Sequence, residues 1–200
     1  MILMIILLNV IVFLMWTLAP AFSLQEFMVT HFLTSPLHME EGAYWTLLTS
    51  VFSHNMFFHI LINMFVLNSF GPVLLYVMGK TRFLIFYLVA GLAGSIGHCM
   101  TAYYFIGDPQ SMALGASGAI AGLIALFSFM YPKQILLLMG FIPVPAFLGI
   151  VAIIGIDVWG LMTQIQGGGL PIGHGAHLGG AFLGILYYFL VIRPKMKRYA

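Results

Sequence analysis

The sequence predicts an all-α membrane protein whose six transmembrane helices form a bundle. Three observations predict this class: 62% of the 200 residues are hydrophobic and only 6% are charged, six apolar stretches run almost without interruption, and the basic residues fall in three places. Soluble domains carry about 25% charged residues and leave much of their surface in water. The bilayer is therefore the expected solvent, and the small net charge of +2 argues against nucleic acid as a partner.

Six apolar segments approach the roughly 20 residues that a helix needs to cross a membrane. The first segment lacks the basic start of a signal peptide and is longer than the apolar core of one, so we interpret it as a span. None of the segments shows the alternation of a membrane β-strand. The sequence therefore predicts one domain over residues 1–200, with helices at 1–18, 57–78, 83–106, 116–131, 146–164 and 174–192.

The basic residues lie after the second segment, after the fourth segment and at the C-terminus. These three places share one side of a six-span chain, and the positive-inside rule makes that side the cytoplasm. We therefore expect a multi-pass protein of the cell membrane, with both termini cytoplasmic. The residues are Lys80, Arg82, Lys133, Arg193, Lys195, Lys197 and Arg198.

Two segments depart from a simple bundle. The first loop, residues 19–53, is rich in aromatic and aliphatic residues, so we expect it to be embedded at the membrane and packed on the protein, where irregular backbone is tolerated. The fourth segment has sixteen residues, which as a helix reach about 24 Å, less than the roughly 30 Å of the hydrocarbon core. One end of this helix is therefore expected to stop below the membrane surface.

Ser117 lies at the start of that short fourth helix, in Gly115-Ala116-Ser117-Gly118. Free backbone N–H groups and the positive end of the helix dipole meet at such a position, which suits an oxyanion hole. Gly115 and Gly118 permit close backbone approach. The same tetrapeptide also suits simple helix packing, because small residues line membrane helix interfaces.

His177 lies near the start of the sixth helix, at the same depth as Ser117. An ionisable residue within a span indicates function, although a neutral histidine bonded to a carbonyl group is the alternative. Small residues are expected to press this helix against the fourth and bring the imidazole to the serine hydroxyl. They are Gly175, Gly179, Gly180 and Gly184.

His59 and Asn63 are four residues apart and share one face of the second helix. Their side chains are expected at the depth of Ser117, where they would supplement backbone donors in holding an oxyanion. The alternative is ordinary hydrogen bonding between helices. His54 is expected to hold the long first loop onto the bundle.

At these residues the chain resembles the rhomboid intramembrane proteases. The resemblance rests on Gly-Ala-Ser-Gly at 115–118, Ala-His-x-Gly-Gly at 176–180 and His-x4-His-x3-Asn at 54–63. The three motifs occur in the rhomboid order, on the fourth, sixth and second helices. The resemblance covers essentially the whole chain, and the segment 141–146 is also similar to many bacterial members.

The resemblance implies a serine endopeptidase in which Ser117 is the nucleophile and His177 is the general base, a dyad without an acid. The backbone N–H of Ser117, with His59 and Asn63, would form the oxyanion hole. The fifth helix and the loop after it would form the substrate gate. Substrates would be other membrane proteins, cut in or near a transmembrane segment, and no metal or other cofactor is implied.

The chain departs from the rhomboid pattern at two positions. Trp45-Thr46 stands where many members have Trp-Arg in the first loop. Ala121 stands where many members carry an aromatic ring that stacks on the catalytic histidine. Another group must therefore orient His177, and Asp157 on the fifth helix is a candidate, with lining of the gate as its alternative role.

Three other functions compete with a protease. The first is a metal site or a metal transporter, since the pairs His54–His59 and His174–His177 are spaced for metal ligation. Against it, the sequence has no HExxH motif and no acid adjacent to these histidines. A catalytically silent relative that binds membrane clients is the second possibility. A passive helix bundle, the third, leaves the polar residues at one depth unexplained.

Overall fold

The computed structural model describes residues 1–138 and 141–196. Lys197 and Arg198 of the orientation argument lie outside this part of the chain. In chain order the helices and strands are α1 (Ile2–Leu18), α2 (Gln25–Phe32), α3 (Pro36–Glu40), α4 (Thr46–Thr49), α5 (Phe57–Met78), α6 (Lys80–Thr101), α7 (Ser117–Met130), β1 (Ile135–Leu138), β2 (Ile142–Pro145), α8 (Ala146–Ile165), α9 (His174–Tyr187) and α10 (Arg193–Met196). Short 3₁₀ turns follow α1 (Ala19–Phe22) and α4 (Ser50–Phe52), and π-helical turns follow α6 (Ala102–Ile106) and α9 (Tyr188–Ile192).

Five helical segments in the described chain are long and apolar enough to cross a membrane. The α7 helix is the sixth apolar helix, and its 14 residues make it shorter than the others. The five segments are Ile2–Phe22, Phe57–Met78, Lys80–Ile106, Ala146–Ile165 and His174–Ile192. The predicted all-α membrane bundle is therefore confirmed. Large apolar side chains such as Phe58, Phe65 and Leu190 are exposed on it, as contact with lipid requires.

The short helix α7 forms the centre of the bundle. It packs against α5, α6, α8 and α9, and most of its side chains are buried. Because α7 is surrounded by protein, its first residue, Ser117, lies inside the bundle rather than on a surface that faces lipid.

Glycines set the distance between α7 and α9. A Cβ atom on Gly180 would overlap the carbonyl oxygen of Gly118, and a Cβ atom on Gly184 would overlap that of Gly122. The predicted contact between the fourth and sixth helices therefore exists, and backbone touches backbone there, as small residues permit in membranes.

The other two glycines of the predicted set face a different helix. Gly175 and Gly179 pack on α6, where a Cβ atom on Gly179 would lie 3.3 Å from Cα of Gly97. The expectation that all four glycines face α7 was wrong. Residues 175 and 179 lie on one face of a helix, whereas 180 is rotated by about 100°, so the glycines serve two neighbouring interfaces.

Replacing Gly180 by Ala is expected to destabilise the protein by about 1–3 kcal/mol, because the added methyl group overlaps the Gly118 carbonyl and forces the two helices apart. Gly155→Ala is the matched control, since a Cβ atom there meets nothing within 4 Å. Thermal unfolding of both variants in detergent measures the difference. Equal unfolding midpoints would contradict the close approach of α7 and α9.

The first loop folds into short helices and is tied to the bundle by hydrogen bonds. Thr34 and Ala113 exchange two backbone hydrogen bonds, of 2.9 and 2.8 Å. The Trp16 indole N–H of α1 donates to Ser53 Oγ at 2.7 Å. The middle of the loop is therefore tied to the segment before α7 and its last residue to α1, in line with the packing that its apolar composition predicts.

The loop residues Trp45 and Thr46 are held by local contacts. Thr46 is buried, and its Oγ1 donates to the Ala43 carbonyl at 2.8 Å. Trp45 is about half exposed, and its ring lies 5.8 Å from that of His31. The Thr49 hydroxyl donates to the His31 carbonyl and joins α4 to α2. These contacts anchor the loop where many rhomboid proteins use Trp-Arg.

Candidate active site

The chain turns sharply before α7, and this turn presents Ser117. Gly115 has a φ of +123°, a backbone conformation that only glycine adopts readily. A Cβ atom there would lie 2.7 Å from Cε1 of His59. Glycine at 115 therefore serves two purposes, because it permits the turn and leaves space for the His59 ring.

The start of α7 has free backbone donors. Its first helical hydrogen bond runs from the Ile120 N–H to the Ala116 carbonyl, at 2.9 Å. The N–H groups of Ser117, Gly118 and Ala119 precede this bond and have no acceptor within the helix. The positive end of the helix dipole lies at the same place, so developing negative charge beside Ser117 would be stabilised.

Ser117 and His177 are joined directly. Oγ of Ser117 lies 3.0 Å from Nε2 of His177, at the end of the bundle where α7 and α9 both begin. The His177 side chain is about one quarter exposed. The pair has the geometry of a nucleophile and its general base.

Asp157 of α8 contacts the other nitrogen of the His177 ring. Its Oδ1 atom lies 2.9 Å from Nδ1 of His177, and the carboxyl group is buried. The resemblance implies a dyad without an acid, whereas in this structure a buried carboxylate lies on the side of the His177 ring opposite Ser117. The acceptor at Nδ1 fixes the tautomer in which Nε2 of His177 is free to take the serine proton.

Ala121 leaves no aromatic ring to stack on the histidine, and the buried carboxylate provides an alternative restraint. Ala121 lies one turn after Ser117 and is buried. The Asp157 contact holds the His177 ring by one of its nitrogens instead of by its face. The proposed orienting role of Asp157 is thus supported by a direct contact.

His174 also belongs to this cluster, and its contact with Asp157 was not predicted. Its Nδ1 atom lies 2.7 Å from the same Oδ1 atom of Asp157, and the imidazole is buried. The available sequence signal was its position three residues before His177, which places both rings near one face of α9.

The cluster also bears on the metal alternative. Asp157, His174 and His177 are close enough to be considered as metal ligands, so the argument that no acid lies beside the histidines was wrong. Ligands at about 2.0–2.1 Å from a tetrahedral zinc ion lie about 3.4 Å from one another. The observed separations of 2.7 and 2.9 Å are those of charge-assisted hydrogen bonds instead.

His54 contacts the turn before Ser117. Its Nε2 atom lies 3.4 Å from the Ala116 N–H nitrogen and 3.1 Å from Nδ2 of Asn63. Because both partners are donors, Nε2 must be unprotonated. His54 therefore holds the Gly115–Ala116 turn in place, in addition to its position at the end of the first loop.

Asn63 and His59 lie beside this turn on α5. Nδ2 of Asn63 donates one hydrogen bond to the His59 carbonyl at 2.9 Å and a second to Nε2 of His54. The His59 and His54 rings meet edge to face at 4.8 Å. Both predicted oxyanion donors therefore adjoin the Ser117 turn, and their role as donors stays a prediction.

Acid is expected to destabilise the protein through His54. Burial and the neighbouring His59 lower the pKa of His54 to about 3, whereas an unfolded histidine has a pKa of about 6.5. The unfolded state therefore takes up the proton first, so the contribution of neutral His54 is complete above pH about 6.5 and is lost as pH falls toward about 3.

The thermal unfolding midpoint in detergent should therefore fall more steeply between about pH 7 and pH 5 for the wild type than for His54→Gln. The glutamine amide can still accept the Ala116 hydrogen bond but does not titrate. Parallel pH profiles for the two proteins would contradict this assignment.

Comparison with known proteins places the chain in a family. The Rhomboid domain matches residues 41–194. RHOMBOID-like protein 12, mitochondrial, of Arabidopsis thaliana is 35% identical over 201 residues, which cover 94% of this chain and 57% of that protein. Presenilin-associated rhomboid-like protein, mitochondrial, of Homo sapiens is 34% identical over 186 residues, which cover 90% of this chain and 45% of that protein. The rhomboid protein YdcA of Bacillus subtilis is 32% identical over 175 residues, covering 82% of this chain and 75% of YdcA.

The chain spans about half the length of the two mitochondrial relatives. The Rhomboid domain nevertheless covers the start of α7, the start of α9 and Asp157. With its apolar helices, the chain is a multi-pass membrane protein, and it belongs to the rhomboid family.

Proposed function

We propose that this protein is an intramembrane serine endopeptidase that hydrolyses peptide bonds in or near transmembrane segments of other membrane proteins. The observation that carries the proposal is the line from Ser117 through His177 to Asp157, with separations of 3.0 and 2.9 Å. A structural histidine needs only one partner, whereas this imidazole uses both nitrogens in the order that acyl transfer requires.

The proposed reaction passes through an acyl-enzyme. Oγ of Ser117 attacks the scissile carbonyl carbon while Nε2 of His177 takes the hydroxyl proton, and Asp157 stabilises the resulting imidazolium. The oxyanion is held by the free N–H groups at the start of α7, with His59 and Asn63 as additional donors. The imidazolium then protonates the leaving amine, and water activated by His177 hydrolyses the ester.

The proposed substrates follow from where the site lies. Ser117 begins an apolar helix surrounded by apolar helices, so a client segment must itself tolerate the membrane. By the rhomboid resemblance, α8 and the loop after it form the gate through which the client enters. The reaction needs water, which would reach the quarter-exposed His177 side chain through a polar opening at this end of the bundle.

A cell-membrane location and an orientation complete the proposal. The positions of Lys80, Arg82, Lys133 and Arg193 favour cytoplasmic termini and a site that opens on the opposite side. Several relatives are named mitochondrial, so labelling of the termini in isolated membranes is the appropriate test. We also propose that residues 1–200 form a single domain.

A catalytically silent protein that binds membrane clients is the second candidate. It is favoured by the hydrogen bonds of the Asn63 amide, whose two hydrogens already contact the His59 carbonyl and Nε2 of His54. Asn63 can donate to an oxyanion only after these hydrogen bonds rearrange. Such a protein would retain clients without cleaving them, whether or not His177 is present.

The test is cleavage of a transmembrane substrate by the purified protein in detergent and in liposomes, with and without a strong chelator. We expect cleavage by the wild type that the chelator leaves unchanged and that His177→Ala abolishes. His31→Ala, which removes an imidazole from α2 instead, is the matched control and should cleave normally. Inhibition by the chelator would favour the metal alternative, and client binding without cleavage would favour the silent relative.

A further inference from the structure

His174 is a buried imidazole that the proposed reaction does not use. Its Nδ1 atom lies 2.7 Å from Oδ1 of Asp157, which is also the oxygen atom that accepts from His177 at 2.9 Å. The His174 and Asp157 side chains are 6% and 7% exposed. One carboxylate oxygen therefore holds two imidazoles, and only one of them reaches Ser117.

Helix α8 has a recess that the His174 ring occupies. A Cβ atom on Gly160 would overlap the His174 ring at its Nε2 edge, so the ring fills the space that this glycine leaves open. Asp157 and Gly160 are three residues apart and share one face of α8. The same helix face thus supplies the acceptor for His174 and the recess that confines its ring.

Backbone contacts fix the chain just before His174. The His174 N–H donates to the Ile172 carbonyl at 2.8 Å. Nε2 of Gln164, near the end of α8, donates to the carbonyls of Leu170 and Ile172 at 2.8 and 2.9 Å. The turn that leads into α9 is therefore tied to α8 at several points, and His174 enters its recess with little freedom.

We propose that His174 is a positioning residue, whose Nδ1–H fixes the Asp157 carboxylate so that Oδ1 stays aligned with Nδ1 of His177. A carboxylate with one donor can rotate away from it, whereas two charge-assisted hydrogen bonds on one oxygen restrain that oxygen between them. The second donor also compensates a buried charge that would otherwise be costly. The inference rests on the proposed protease function and assigns His174 a place in it.

Two variants of similar shape separate positioning from packing. In His174→Asn the amide nitrogen stands at the same number of bonds from the backbone as Nδ1, so the donor to Asp157 is kept. His174→Leu has similar branching and no donor. We expect His174→Leu to lower kcat by about ten- to a hundredfold, the effect of losing a hydrogen bond to a charged group, with KM nearly unchanged. His174→Asn should keep most of the wild-type kcat.

A second pair of variants moves the imidazole without changing any titratable group. Gly160→Ala places a methyl group where the His174 ring lies, so it should lower kcat in the same way as His174→Leu. Gly155→Ala on the same helix meets nothing within 4 Å and should leave kcat unchanged. The rate at which a fluorophosphonate labels Ser117 gives a second readout that does not depend on substrate entry.

The outcomes separate this inference from the proposed function. If Ser117→Ala cleaves and labels like the wild type, the protease proposal itself fails. The inference fails if Ser117 is required and His174→Leu keeps the wild-type kcat and labelling rate. It also fails if Ser117 is required and His174→Asn is as slow as His174→Leu. In either case His174 serves packing alone. Should His174→Leu not fold, the Gly160→Ala and Gly155→Ala pair decides the question.

Discussion

Ser117→Ala is expected to lower the rate of substrate cleavage by at least about 10⁴-fold, to the background of the assay. The alanine keeps the helix start and its free N–H groups but has no oxygen atom to form the acyl-enzyme. Neither His177 nor Asp157 replaces the missing nucleophile, since in the proposed reaction His177 accepts its proton and Asp157 stabilises the resulting imidazolium. The variant should still fold, because Ser117 is the first residue of α7 and the helix itself is held by Gly118, Gly122 and apolar contacts.

The measurement is cleavage of a transmembrane substrate together with covalent labelling by a fluorophosphonate. Ser128→Ala is the matched control, because this serine lies on the same helix, is buried, and its hydroxyl has no hydrogen-bond partner within the described chain. We expect labelling and cleavage to be lost in Ser117→Ala and retained in Ser128→Ala. Full cleavage by Ser117→Ala would overturn the serine mechanism.

Asp157→Asn is expected to reduce turnover by more than about tenfold, and by up to about 10⁴-fold if the His177 tautomer is reversed. The amide has almost the size of the carboxylate but carries no charge to stabilise the imidazolium. Its NH₂ group can also turn toward Nδ1 of His177, which would place the imidazole proton on Nε2 and block acceptance from Ser117. The loss should appear mainly in kcat, since Asp157 lies behind the histidine.

Asp108→Asn is the matched control for this prediction. Asp108 is also an aspartate, but it is exposed in the loop before α7 and accepts a hydrogen bond from the Gln110 N–H at 3.0 Å. Its substitution should leave kcat unchanged. Unchanged turnover in Asp157→Asn would discard the orienting role of the carboxylate, and it would leave His177 to act as the resemblance implies, without an acid.

The sequence by itself determined the class of fold and the positions of the spanning helices. Long apolar runs are apparent from the sequence alone, since each must be about as long as the hydrocarbon core is thick, and the short fourth helix is apparent from its length. It also indicated Ser117 and His177, because a serine between small residues and a histidine in a glycine-rich span are rare polar features in an apolar chain. Local chemistry therefore sufficed for the fold and for the central pair.

Only the tertiary structure decided how the other polar residues are used. Asp157 is 20 residues before His177, and hydropathy does not reveal which face of α8 is turned inward. The contact depends on the rotation of α8 about its axis and on the turn that Gln164 holds to it. The structure was also needed to show that the glycines of α9 divide between α6 and α7. It was needed for His174 as well, because the recess at Gly160 forms only when α8 and α9 are packed together. Rotation and register of packed helices arise from contacts distant in sequence. The sequence could therefore offer Asp157 only as a candidate, and its contacts with His177 and His174 became apparent only in three dimensions.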